Sequence, residues 1–234
     1  MEAIVLAGGK AERLGEAARG LPKPLVPVAG RPIIAYQVSQ LVRAGVGRVI
    51  VSCGAREGAR FRGELDGLGA EIVTAEEPEP LGRGGGIRYA ARLREEEGPL
   101  YTLNGDELID LDLEALLRRH DARGPAATIT VVPLRSALGV VELDDDDVVE
   151  GFREAPRLPY WVSCGVYVLG EDALERLPER GDHEQSTFPE LASEGRLHAF
   201  RHEGTWITVN TPKDLRLAEE YVAANPDWLG VSAT

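Results

Sequence analysis

The chain is poor in the residues that mark several common functions. It holds only two cysteines, Cys53 and Cys164, with no C-x-x-C spacing. That argues against a bridge or a thiolate metal site, and both read as small, buried apolar groups. Basic residues are outnumbered: 26 Lys and Arg face 39 Asp and Glu, for a net charge of −13. A surface that binds nucleic acid would be basic, so none is expected as a partner. A small pocket can still be positive on an acidic body, which leaves a nucleotide admissible. No apolar stretch is long enough to span a bilayer. The N-terminus lacks the basic segment and apolar run of a signal peptide. The expected setting is a reduced cytoplasm, with no membrane partner. Neither a linker nor a repeat interrupts the 234 residues. One α/β domain with a sizeable core is therefore expected over 1–234, with a first half at 1–122 and a second at 123–234.

Two phosphate-loop patterns are also missing. There is no G-x-x-x-x-G-K-[ST], and no G-x-G-x-x-G follows the first strand. What stands there instead is Ile4-Val5-Leu6-Ala7-Gly8-Gly9-Lys10-Ala11-Glu12-Arg13-Leu14, then Leu21-Pro22-Lys23-Pro24-Leu25. A short apolar run ends in two glycines, whose missing Cβ atoms let backbone N–H groups approach an anion. Arg13 and Lys23 add full charges, and the flanking prolines restrict the backbone around Lys23. Gly8-Gly9 alone would be only a turn. With the two cations it reads as a phosphate site.

The rest of the first half alternates strand and helix. Ala3–Leu6, Arg48–Ser52, Ala70–Thr74 and Leu100–Leu103 read as buried strands. A helix opens at Gly30-Arg31-Pro32 with Ile33, Ile34, Val38, Leu41 and Val42 as its apolar face, and another covers Arg56 to Leu65. This rhythm predicts a Rossmann-like α/β/α fold of three layers around a mostly parallel mixed sheet. Ligands in such sheets sit beyond the carboxyl ends of the strands. The Pro- and Gly-dense run from Glu77 to Ile87 predicts an irregular loop, by composition a flexible linker or a side-chain-poor wall for a nucleobase, leading into a helix at Ile87–Arg94. Asn104-Gly105-Asp106 follows a strand directly, so Asp106 is placed to hold a hard cation. Asp112 reads as the N-cap of a helix at Leu113–His120.

In the second half, Ala126–Pro133 and Trp161–Leu169 read as strands, and Leu138–Leu143 with Val148–Phe152 as a hairpin. Its turn, Asp144–Asp147, lacks the ligand spacing of a calcium loop. Helices are expected at Glu171–Leu177 and around Ser186–Ser193. Near the end, Thr211, Pro212 and Asp214 form a helix-capping pattern, which leaves Asn210 unexplained.

Leu-Ala-Gly-Gly-Lys-x-x-Arg-Leu followed by Leu-Pro-Lys-Pro-Leu resembles the signature of the sugar-1-phosphate nucleotidylyltransferases. The resemblance continues to the C-terminal turn. It implies an NTP and a sugar 1-phosphate as partners, with Mg²⁺ as cofactor. Leu6, Ala7, Gly8, Gly9, Pro80, Leu81, Gly82 and Gly85 would bind the nucleotide. Arg13 would hold the leaving pyrophosphate, and Lys23 would sit between α-phosphate and acceptor phosphate. Asp106 and Asn210 would hold the metal, although many members carry the second ligand where this chain has Thr208. Gly139, Glu154 and Gly165 match the sugar-phosphate side, and Tyr167 beside them reads as core. Ala155 stands where the family has a phosphate-binding Lys, with Arg153 or Arg157 as substitutes for its charge. Guanine and mannose 1-phosphate follow from overall resemblance. Another acceptor, such as molybdopterin or an alditol phosphate, is an open alternative. So is a non-catalytic nucleotide-sugar sensor. A homo-oligomer is compatible with the sequence. No room is expected after the last helix for a C-terminal β-helix or acyltransferase domain.

Overall fold

The structure is a computed structural model and describes residues 1–9 and 11–225. Lys10 of the opening motif and residues 226–234 lie outside the described residues. The chain runs β1 (Glu2–Leu6), β2 (Pro27–Val28), β3 (Arg31–Pro32), α1 (Ile33–Arg43), β4 (Arg48–Gly54), α2 (Gly58–Leu65), β5 (Glu71–Glu77) and α3 (Gly82–Ala91). It continues with β6 (Leu100–Asn104), β7 (Glu107–Ile109), α4 (Leu113–Arg123), β8 (Ala127–Arg135), β9 (Val140–Leu143), β10 (Val149–Arg153) and β11 (Arg157–Leu169). Then come α5 (Glu171–Glu175), α6 (Thr187–Ser193), β12 (Leu197–Arg201), β13 (Trp206–Thr208) and α7 (Pro212–Ala224). Two 3₁₀ segments, Glu12–Ala18 and Lys23–Leu25, lie between β1 and β2.

Seven strands form one sheet in the order β12-β8-β11-β6-β1-β4-β5. All its pairings are parallel except those of β11, which runs against both neighbours. Strands from both halves of the chain thus enter a single sheet. The period-2 geometry of a strand sorts its side chains between two cores. Ala3 and Val5 of β1 join Val49 and Val51 of β4 in the core covered by α1, α2 and α4. Ile4 and Ile50 point to the opposite core, under α3, α5 and α6. This is the three-layer arrangement expected. A third cluster joins Leu14, Val28, Tyr36, Leu108 and Ala218 of α7.

β1 is the topological switch. The chain leaves it for β4 and β5 on one side, then returns for β6 on the other. The carboxyl ends of β1 and β6, at Leu6 and Asn104, flank the crevice that such reversals open.

One helix and several short strands differ from the sequence expectation. The helix expected at Ile87–Arg94 begins at Gly82, so the glycines taken for an irregular loop lie inside α3. Packing overrides their poor helix propensity. A Cβ on Gly84 would come within 2.8 Å of the His183 nitrogen, and one on Gly85 within 2.7 Å of the Glu179 carbonyl oxygen. These glycines let α3 press against the 178–183 segment. The strands β7 and β13, of three residues each, carried too few residues for a periodic signal, and β12 was not expected either.

Candidate active site

The opening turn is built to leave backbone donors free. Ala7 N–H donates to the Ser52 carbonyl at 2.6 Å, which ends β1 firmly. Among the described residues, neither the Gly8 nor the Gly9 N–H meets an acceptor. A Cβ on Gly9 would meet nothing within 4 Å, and one on Gly8 only the Glu77 carboxylate at 3.7 Å. The fold therefore does not demand glycine at these two positions. Open space and unpaired N–H groups together suit an anion.

Lys23 is tied to this turn through its backbone, since its N–H donates to the Gly9 carbonyl at 3.2 Å. Its Nζ donates to Asp106 Oδ2 at 2.5 Å and to Asn210 Oδ1 at 2.7 Å. Both partners are fixed from behind. The Gly105 N–H donates to the Leu6 carbonyl at 2.8 Å, and a Cβ there would come within 2.6 Å of that oxygen. Only glycine lets the Asp106 turn press so closely on the end of β1. Buried Gln37 of α1 donates to the carbonyls of Asn104 and Glu107, at 2.7 and 2.8 Å, clamping the turn from both sides. Asn210 is held by the cap of α7. Asp214 accepts from the N–H groups of Asn210 and Thr211, and Thr211 accepts from Asp214 in return, the expected capping box. Asn210, rather than Thr208, thus supplies the side chain that reaches Lys23. Asp112 caps α4 as expected.

Gly8, Gly9, Lys23 and Asp106 share one hollow of about 920 Å³, lined also by Leu6, Ala7, Pro80 and Gly82, while Asn210 bonds Lys23 without lining it. A second hollow, of about 420 Å³, lies beside it and contains Ser163 and Gly165. Arg83, Asn104 and Glu107 line both, so these residues form a shared wall between adjoining hollows. Gly165 has φ +73°, and a Cβ there would collide with the Asn104 amide. Its missing side chain lets β11 pack closely on Asn104, at an irregularity in the β11–β8 register.

Two acidic residues of the larger hollow carried no sequence signal. Glu77, at the end of β5, accepts from Ser52 Oγ at 2.8 Å and from the Leu81 N–H at 2.9 Å. Its carboxylate is held rigidly at the hollow's wall. Glu107 accepts from Trp206 Nε1 at 2.9 Å. Burial, reinforced by the neighbouring Asp106 charge, pushes its carboxyl up to about 8. Both causes favour its neutral, protonated form.

Several predicted site residues lie elsewhere. Arg13 is exposed on the first 3₁₀ segment and lines neither hollow. A backbone kink at Gly15 (φ 53°, ψ −129°) breaks that segment two residues later. Leu81 and Gly85 face the 178–183 segment, where Gly181 N–H donates to the Leu81 carbonyl. Gly139 and Glu154 belong to the β9–β10 hairpin and its exit, outside both hollows. A Cβ on Gly139 would meet the tip of the Phe152 ring, an exposed side chain free to move aside. Arg153 and Arg157, the two candidates for the missing Lys charge, pair on the surface with Glu142 at 2.6 Å and Glu203 at 3.0 Å, and neither lines either hollow. The cysteines are buried, and burial pushes both thiols up to about 12, consistent with inert core groups.

A family model described as nucleotidyl transferase matches residues 2–225. The chain belongs to that family. Among curated relatives, the chain is 32% identical over 221 residues to a mannose-1-phosphate guanylyltransferase catalytic subunit beta of Drosophila pseudoobscura pseudoobscura, covering 91% of this chain and 60% of that protein. It is 31% identical over 246 residues to the subunit of the same name from Xenopus tropicalis, covering 99% and 68%. The chain thus spans about three fifths to two thirds of the length of these relatives. Among solved structures, HddC from Yersinia pseudotuberculosis complexed with GMP-PN superposes with a TM-score of 0.72 at 23% identity, over 94% of this chain and 98% of that one. At that identity the likeness shows the fold alone. No helix among the described residues is long and apolar enough to cross a membrane.

Proposed function

We propose that the protein transfers a nucleotidyl group from a nucleoside triphosphate to a sugar 1-phosphate, releasing pyrophosphate. One observation carries this reading. Lys23 lies on the floor of the larger hollow, bonded to Asp106 and Asn210, beside two unpaired glycine N–H groups and next to a second hollow. The sugar 1-phosphate brings an ionised nucleophile, so the protein needs no nucleophile or general base of its own. Its work is positioning and charge stabilisation. The Gly8-Gly9 turn would receive the phosphates. Lys23 would neutralise charge where acceptor oxygen and α-phosphorus meet.

The residues present also fit a divalent cation. Asp106 Oδ2 and Asn210 Oδ1 already converge on one positive point, the Lys23 ammonium. Two oxygen donors are enough for Mg²⁺, which takes the remainder of its shell from phosphates and water. Bound there, it would supply charge neutralisation for the phosphates. Asp106 and Asn210 are the residues that would hold it.

Guanine and mannose 1-phosphate are the substrate pair we favour, supported by the names of the relatives. The Glu77 carboxylate supports a base with paired N–H donors, as guanine has, because a carboxylate accepts only. A pyrophosphate-release assay with Mg²⁺ and a matrix of four triphosphates and several sugar 1-phosphates tests the reading. Release should require both substrates and be fastest with GTP and mannose 1-phosphate. Release without an acceptor, or none with any pair, contradicts it.

A further inference from the structure

The smaller hollow carries a feature that the nucleotide chemistry does not use. Glu184 lies in it and is fixed from three sides. Its Oε1 accepts from Tyr167 Oη at 2.9 Å, and its Oε2 meets Arg83 Nη1 at 2.7 Å. Its own N–H donates to Asp182 Oδ1 at 2.9 Å. Arg83 is anchored in turn, because its Nε donates to Asp182 Oδ2 at 2.9 Å. Behind Glu184, the rings of Tyr167, His183 and Phe188 meet edge to face, with centroids 4.6 to 5.4 Å apart. Tyr167 and His183 are fully buried, so this support is rigid.

A carboxylate oxygen has two acceptor sites, so each Glu184 oxygen keeps one after these bonds. The same hollow holds an apolar wall of Ile129, Phe188 and Leu197, with the Ser163 hydroxyl also lining it. A rigid acceptor-only group beside an apolar surface suits a polyhydroxylated ring, which offers O–H donors at its edge and C–H groups on its face. The acidic Glu154 that sequence suggested for the acceptor is exposed outside this hollow.

We propose that Glu184 binds the acceptor, taking hydrogen bonds from hydroxyl groups of its sugar ring, and that Arg83 is the positioning residue that fixes Glu184. This rests on the nucleotidyl-transfer reading above. The ring in the smaller hollow would point its phosphate past Asn104 and Glu107, the shared wall, toward Lys23.

Steady-state kinetics with GTP, mannose 1-phosphate and its 2-, 3-, 4- and 6-deoxy analogues test this. Glu184→Ala should raise the KM for mannose 1-phosphate roughly 10- to 100-fold, the usual effect of losing charge-assisted hydrogen bonds. The KM for GTP should stay within about twofold. In the unaltered protein at least one deoxy analogue should suffer a comparable loss, and in Glu184→Ala that analogue should lose little more. Glu184→Gln, which keeps an acceptor for Tyr167, should give an intermediate KM and serves if the alanine variant does not fold. Arg83→Ala should raise the same KM by a smaller factor, partly restored in Arg83→Lys. An active protein in which Glu184→Ala and Glu184→Gln leave the acceptor KM unchanged, or raise both KM values equally, overturns the assignment alone. A protein with no acceptor-dependent pyrophosphate release overturns the underlying reading as well.

Discussion

The two hollows are made in different ways. The larger is built from short contiguous stretches of chain, within 6–24, 54–57, 77–83 and 104–107, where glycines, prolines and alanines stand among charged side chains such as Lys23, Glu77 and Asp106. The smaller is lined by single side chains gathered from α3, β6, β7, β8, β11, α6, β12 and the 182–184 segment. A triphosphate presents the same repeating anion whatever its base, so a loop of N–H groups and one lysine can hold it. An acceptor ring differs from its isomers only in where its hydroxyls point, so recognition needs individually placed side chains. The contrast predicts that damage to the larger hollow lowers turnover, and damage to the smaller one changes acceptor preference.

The sharpest way to break that contrast is at Lys23. Lys23→Ala should lower kcat by one to two decades, since it removes a charge-assisted contact worth ~1.5–3 kcal/mol and leaves Asp106 without its partner. Near-full turnover would remove Lys23 from the chemistry. A comparable effect, on stability, belongs to the aromatic support of the smaller hollow. Burial pushes the His183 imidazole down to about 4, against the opposing pull of Glu184 and Asp182. In the unfolded chain it titrates near 6.5. The unfolded state therefore binds the proton first, and stability present above pH 6.5 is lost as pH falls toward 4. His183→Phe should lessen that acid loss by about 3 kcal/mol, read from denaturant melts at pH 7 and pH 4. Parallel losses in both proteins would show that His183 is not the titrating group.

Smaller effects separate the glycines. Gly85→Ala should destabilise the fold by about 1–3 kcal/mol, because its Cβ meets backbone of the 179–180 segment. An unchanged thermal midpoint would mean that α3 can shift away. Asp106→Asn should raise the Mg²⁺ concentration for half-maximal rate by roughly tenfold, about 1.4 kcal/mol, through loss of a charged ligand. An identical metal titration would contradict its assignment as a ligand. Gly9→Ala should leave stability within about 0.5 kcal/mol, since nothing lies near its Cβ. It should still raise the KM for the triphosphate several-fold by crowding the N–H groups. A fall in thermal stability without a change in KM would reverse the roles given to Gly9 and Gly85.

The same contrast governs what could be read from sequence. The sheet, its parallel order and the convergence of Gly8-Gly9, Lys23 and Asp106 were legible, because strand periodicity and a contiguous motif encode them. The reversed strand β11 followed no local rule that distinguishes it from a parallel one. Gly84 and Gly85 read as loop because their low helix propensity is local and their packing against 178–183 is not. Arg13 was credited with a phosphate for its charge, its fork of donors and the family resemblance; it is exposed on the kinked segment, whose neighbouring Ala11 and Glu12 line the larger hollow. Glu184 could not be found, since the Arg83 and Tyr167 that fix it are 101 and 17 residues away in the chain.

The account turns on two hollows that meet at one phosphorus, with the acceptor on one side and pyrophosphate leaving on the other. The stereochemical course at the α-phosphorus tests this most directly, using GTP made chiral there with sulfur and mannose 1-phosphate as acceptor. A single in-line displacement across the shared wall predicts inversion of configuration. Retention would require a nucleotidylated protein intermediate, for which this site has no assigned nucleophile, and would contradict the account.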